Sequence, residues 1–167
     1  MNELTVEKAA PENASVLTAL QREAFNTKMA RYGLPPGNGP HGFADSEWQI
    51  KQMQENDYYA ISWQGTIVGG CIVKNTSDEC HIIRIFIGPE YQKRGFGKQG
   101  LSKIELLYPQ APVFTLDTPD WDDENHRFYE GLGYLRAGTA FHPDLDFSLY
   151  LYRKSGKGAG GRKFLFR

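Results

Sequence analysis

Apolar and polar positions follow two rhythms along this chain, and they alternate from segment to segment. Short apolar runs and period-two alternation predict strands at Leu4–Lys8, Tyr58–Gln64, Thr66–Lys74, Glu79–Ile87, Val113–Leu116, Tyr134–Phe141 and Phe147–Tyr152. Helical spacing appears after Pro11, which suits a first helical turn, where Val16, Leu17, Leu20, Ala24 and Phe25 share one face. Prolines and glycines between Tyr32 and Gly42 exclude a long helix or strand, so a loop is expected there. A second helix follows from Asp45 to Glu55, with Trp48 and Met53 as candidates for its buried side. Leu101, Ile104 and Leu107 stripe a third helix that stops before Pro109, and Asp122 to Leu132 reads as a fourth. Turns at Gln64-Gly65 and at Asn75–Asp78 join the second, third and fourth strands into an antiparallel meander.

The fourth strand leads into the most informative segment of the chain, Gly88-Pro89-Glu90-Tyr91-Gln92-Lys93-Arg94-Gly95-Phe96-Gly97-Lys98. A basic, glycine-punctuated turn that opens directly into a helix offers backbone N–H groups to an anion, because the first four N–H groups of a helix have no partner within it. Lys93, Arg94 and Lys98 add positive charge, so a phosphate or pyrophosphate is the expected ligand of Gln92 to Lys98. Gly95-x-Gly97-x-x-Gly100 also fits the dinucleotide fingerprint, with Asp117 as its ribose-binding acid. In that fold, however, the first glycine follows the strand almost at once, whereas a polar run from Glu90 to Arg94 intervenes here. A P-loop fits worse, since Gly97-Lys98 is followed by Gln99.

Gln92-x-x-Gly95-x-Gly97 after Ile85-x-Ile87-x-Pro89 resembles the pyrophosphate-binding motif of the GNAT-type N-acetyltransferases, and Asn125-His126-Arg127-Phe128-Tyr129-Glu130-Gly131-Leu132-Gly133-Tyr134 resembles that family's second motif. The resemblance implies an α/β (α+β) fold in one domain over residues 1–154. Its core would be a mixed, mostly antiparallel sheet of about seven strands flanked by about four helices. It implies acetyl-coenzyme A as donor and an amine as acceptor. The backbone of Ile85, Phe86 and Ile87 would take the pantetheine arm, with one N–H, that of Ile87 first, facing the thioester oxygen. Gln92, Lys93, Arg94, Gly95, Phe96, Gly97 and Lys98 would hold the pyrophosphate. Tyr129 would protonate the departing thiolate. Asn125 would reach the pantetheine, although the family's asparagine stands about seven residues before the tyrosine, where this chain has Asp122. The amine must lose a proton first, since a lysine-like amine has a pKa near 10.4. Glu79 is the candidate base by position, with His81 two residues on and a water chain as alternatives.

Composition narrows the partners. Residues 153–167 carry Arg153, Lys154, Lys157, Arg162, Lys163 and Arg167 without an acid, so all 20 acidic side chains lie in the body of the chain. An acidic body with one basic turn argues against general nucleic-acid binding. No apolar run approaches the roughly 18 residues of a membrane span. Cys71 and Cys80 sit in apolar runs and no apolar segment opens the chain, which points to buried thiols in a cytoplasmic protein. Asp117, Asp120, Asp122, Asp123 and Glu124 crowd the approach to the fourth helix. They either favour its N-terminus or draw a cationic acceptor. Residues 155–167 read as a glycine-rich basic tail, either disordered or docked on a partner subunit, as in a homodimer. A non-catalytic acyl-coenzyme A-binding module of the same fold is the alternative to an enzyme.

Overall fold

The computed structural model describes residues 3–159. Seven strands form one sheet: β1 (Leu4–Lys8), β2 (Asp57–Trp63), β3 (Thr66–Asn75), β4 (Cys80–Ile87), β5 (Val113–Pro119), β6 (Leu135–Phe141) and β7 (Ser148–Ser155), in the order β1-β2-β3-β4-β5-β7-β6. Four α-helices accompany them: α1 (Ala14–Arg31), α2 (Ser46–Glu55), α3 (Phe96–Leu106) and α4 (Asp123–Gly131). Short 3-10 turns lie at Pro11–Asn13 and Pro89–Tyr91. The expected mixed sheet and helix order are therefore present. β4 and β5 pair in parallel, and β2 pairs antiparallel with both β1 and β3, as β7 does with β5 and β6.

The described residues form two compact units, one within residues 1–73 and 84–104 and the other within residues 74–83 and 105–167. In the first, Leu4, Ile61, Val68 and Phe96 form a buried cluster against which Val6, Trp63, Ile85, Ile87 and Tyr91 pack. Burying such side chains stabilises the unit by roughly 1.5–3 kcal/mol each relative to leaving them in water. Strand alternation sends Phe86 to the opposite face. There its ring lies so close to Gly70 that a Cβ on that glycine would stand 2.7 Å from Phe86 Cζ. Of the expected α1 stripe, Leu17, Leu20 and Ala24 are buried, but Val16 is 41% exposed and buried Gln21 takes a place the apolar pattern did not assign. The buried residue of α2 is Gln49 in place of Trp48 or Met53, which are only partly covered.

The second unit is built around tyrosines. Tyr129, Tyr134 and Tyr152 are buried, with Tyr129 5.9 Å from Tyr134 and 6.2 Å from Tyr152 by ring centroids. Buried phenols need partners. Tyr134 donates to Glu105 Oε2 at 2.7 Å and Tyr152 to Glu130 Oε2 at 3.2 Å, while Lys154 donates to the other Glu105 oxygen at 2.8 Å. The start of the expected tail is held by its own unit, since Ser155 ends β7, Gly156 N–H donates to Pro112 O and Gly158 N–H to Ala111 O, both at 3.0 Å. Residues 160–167 lie outside the described residues. Cys71 and Cys80 are buried and not joined in a disulfide. Among the described residues no helix is long and apolar enough to cross a membrane.

Candidate active site

β4 and the turn after it carry the first group of candidate residues. Its pairing with β5 is confined to Cys80–Phe114 and His81–Thr115, although β4 runs on to Ile87. Gly88 N–H donates to Val68 O of β3 at 2.8 Å. Since backbone groups of successive strand residues point to opposite edges, the N–H of Ile87 and that of Ile85 point to the edge away from β3, and those of Phe86 point toward it. The Phe86 carbonyl agrees with this, since it would stand 2.2 Å from a Cβ on Gly69 of β3. Ile85 and Ile87 thus present backbone to the edge of β4 away from β3, and Phe86 does not. The Ile87 carbonyl is already taken, by Gln92 Nε2 at 2.8 Å. That bond ties the turn back onto the end of the strand.

The turn itself is wound for backbone donors. Lys93 and Gly95 both adopt positive φ, +64° and +80°, on either side of Arg94. Such a conformation costs an L-residue about 1–2 kcal/mol and a glycine almost nothing, which explains the glycine at 95. The first backbone bond of α3 runs from Gln99 N–H to Gly95 O at 3.0 Å, which leaves the N–H groups of Phe96, Gly97 and Lys98 without an intrahelical acceptor. Lys93, Arg94 and Lys98 are exposed around them. Arg94 lies over the Trp63 ring, 5.6 Å from its centroid. These residues suit a pyrophosphate. Seven residues lie between Ile87 and Gly95 along a path through the 3-10 turn, and this departs from a dinucleotide fingerprint, whose glycine follows its strand directly.

The second unit carries the remaining candidates. Tyr129 sits on α4, only 6% exposed, with its ring packed on Phe128, Tyr134 and Tyr152. Asp122 is buried and caps α4 by accepting from Asn125 N–H at 3.1 Å, while the Asn125 side-chain amide donates to Thr118 Oγ1 at 3.1 Å. Much of the acidic run has local work: Asp123 lies 3.6 Å from His126, and Asp117 lies 4.0 Å from His81 Nε2. His81 Nδ1 also meets Thr115 Oγ1 at 2.8 Å. Glu79 stands one residue before β4, in the turn where its carbonyl accepts from Thr76. Of the two, His81 lies within β4 and Glu79 directly precedes it. The residue that spacing alone did not single out is Arg84, within β4, which donates to Gln21 of α1. A charged side chain in the middle of an apolar strand was the available signal.

Several solved structures share this fold. The chain is similar to a PaiA N-acetyltransferase from Thermoplasma acidophilum in complex with coenzyme A, with 16% identity, 92% of this chain and 99% of that one covered, and a TM-score of 0.73. It is similar to the ribosomal-protein-S18-alanine N-acetyltransferase of Escherichia coli, with 14% identity, 98% and 100% covered, and a TM-score of 0.76. A GCN5-related N-acetyltransferase from Rhodopseudomonas palustris gives 21% identity, 93% and 97% covered, and a TM-score of 0.72. No curated protein matches the chain significantly. The model of the acetyltransferase (GNAT) family matches residues 17–134, which include the β4–α3 turn and α4, and the chain belongs to that family.

Proposed function

We propose that this acetyltransferase moves the acetyl group of acetyl-coenzyme A to a primary amine of a small molecule or peptide by direct attack. The observation that carries the reading is the junction of β4 and α3. It combines N–H groups aimed away from β3, a turn at positive φ, a helix start with unmatched donors, and three basic side chains. Residues Gln92 to Lys98 bind the pyrophosphate, with Gln92 bracing the turn through Ile87 O. Ile85 and Ile87 receive the pantetheine arm by backbone. Ile87 N–H stabilises negative charge on the thioester oxygen as the amine nitrogen adds to the carbonyl carbon. The C–N bond forms, the C–S bond breaks, and the amine gives up a proton. Glu79 removes that proton directly or through water, and Tyr129 supplies one to the leaving sulfur. The acceptor is a cation in its resting ammonium form, which the acidic run from Asp117 to Glu124 favours.

Release of free thiol from acetyl-coenzyme A, followed across polyamines, amino acids, aminoglycosides and peptide N-termini, tests the reading. Turnover with at least one amine class is expected. Tight binding of acetyl-coenzyme A with no turnover on any amine would instead identify a non-catalytic acyl-coenzyme A-binding module.

A further inference from the structure

The first unit buries a continuous polar network among α1, α2, β2 and β4. Gln21 and Gln49 are fully buried, and their amides interlock: Gln21 Nε2 donates to Gln49 Oε1 at 2.9 Å. Tyr58 donates its hydroxyl to the same Gln49 oxygen at 2.6 Å, and Gln49 Nε2 donates to Gly42 O at 3.0 Å. These bonds fix the sense of both amides. Gln21 Oε1 consequently faces Arg84, whose Nη1 donates to it at 2.9 Å, while Arg84 Nη2 donates to His41 O at 3.0 Å. The guanidinium carbon lies 4.4 Å from the centroid of the Trp48 ring and 6.0 Å from that of Phe25.

Among the described residues no carboxylate forms an ion pair with Arg84, and its hydrogen-bond acceptors are an amide oxygen and a backbone carbonyl. Burial pulls its pKa down to about 10, which leaves it charged at neutral pH. Taking an ion out of water without an opposite charge is unfavourable, so a site built this way gains when an anion arrives. A guanidinium carries five N–H groups in a planar fork. Two are engaged, and the side chain is only partly buried, so the rest of the fork can meet a ligand.

We infer that Arg84 receives a carboxylate of the acceptor, so that the acceptor is an amine that also bears a carboxylate, as an amino acid does. The inference rests on the acetyl-transfer reading for the fate of the amine, but not for the anion. A planar carboxylate matches the fork in two parallel hydrogen bonds, and the interlocked glutamines and the Trp48 face hold that fork in one orientation before any ligand binds. Arg84 and Ile87 lie on one strand, about 10 Å apart at roughly 3.3 Å per residue. One rigid element thus carries both the anion seat and the N–H that faces the reacting thioester oxygen. Arg84 is a specificity-determining residue in this scheme and takes no part in bond making.

The test compares amino acids with their methyl esters and amides, and with the aminophosphonate analogues, under saturating acetyl-coenzyme A, in wild type, Arg84→Met and Arg84→Lys. Wild type should favour the acid over its ester in kcat/KM by about 10–100-fold, mainly through KM, the size expected of a charge-assisted pair. Arg84→Met should bring that ratio to about one and Arg84→Lys should keep part of it. A merely structural role would lower acid and ester alike. An unchanged ratio in Arg84→Met, an equal use of acid and ester by wild type, or a preference for the phosphonate each overturns the inference. Calorimetry with the N-acetylated amino acid provides a readout without turnover. Binding to wild type that is lost in Arg84→Met supports the anion seat even if no amine is acetylated, whereas absent turnover beside intact acetyl-coenzyme A binding counts against acetyl transfer alone.

Discussion

Gly95 holds its φ at +80° with no atom nearer than 3.7 Å to where a Cβ would stand, so a side chain there meets strain in the backbone before it meets any neighbour. Gly95→Ala should therefore lower acetyl-coenzyme A affinity by about 5–30-fold, the range that roughly 1–2 kcal/mol of left-handed strain gives, with little loss of fold. Titration calorimetry decides it, and wild-type affinity in the folded variant removes Gly95 from the phosphate seat. Tyr129 is a different case, because its ring is packed among aromatic neighbours while its proposed task belongs to the hydroxyl alone. Tyr129→Phe keeps the ring. Turnover should fall by about 10²–10⁴-fold at nearly constant cofactor affinity if the hydroxyl protonates the leaving sulfur. Normal turnover would pass that role to another group.

Elements were far more legible than the contacts they make. Period and punctuation located every strand and helix to within a few residues, because alternation, Pro109, Gly65 and the capping acids are local signals. Glu79 shows where locality ends. It continues the apolar run in sequence, yet the hydrogen bonds from Thr76 to its carbonyl fold it into the turn and stop β4 at Cys80. The buried pair Gln21 and Gln49 was illegible for the opposite reason, since a polar residue becomes interior only when a distant partner satisfies it, and theirs stand on other elements. The same holds for Trp48, whose place depends on Gly42. That glycine has φ +76°, and a Cβ on it would fall 2.2 Å from Trp48 Cδ2. Gly42→Ala combines left-handed strain with overpacking, so chemical denaturation should register a loss of about 2–4 kcal/mol. It should also weaken the amino acid preference assigned to Arg84, as the Trp48 ring beneath the guanidinium is displaced. Wild-type stability in this variant would mean that the loop relaxes freely and that Trp48 is no fixed platform.

At the scale of the whole molecule, two electrostatic effects bear on the acceptor, and ionic strength separates them. The chain has a net charge of −1 with all of its 20 acidic side chains before residue 153, and Asp117 and Asp123 of the acidic run are exposed. Attraction of an ammonium to such exposed carboxylates fades once the Debye length falls to about 8–10 Å near physiological salt. A contact with partly buried Arg84 is screened much less. Raising the salt should therefore weaken the apparent affinity for an amino acid amide, which presents only its ammonium, while the preference of acid over amide persists or grows. Asp120→Asn with Asp123→Asn should reproduce the effect of salt on the amide and leave the preference unchanged. The measurement is KM for an acid and its amide at low and high ionic strength, with acetyl-coenzyme A saturating throughout so that its own charge does not enter. If amide affinity ignores both salt and the double substitution, the acidic run serves only the start of α4. If the acid preference instead collapses with salt, the carboxylate is read at an exposed surface and not at Arg84.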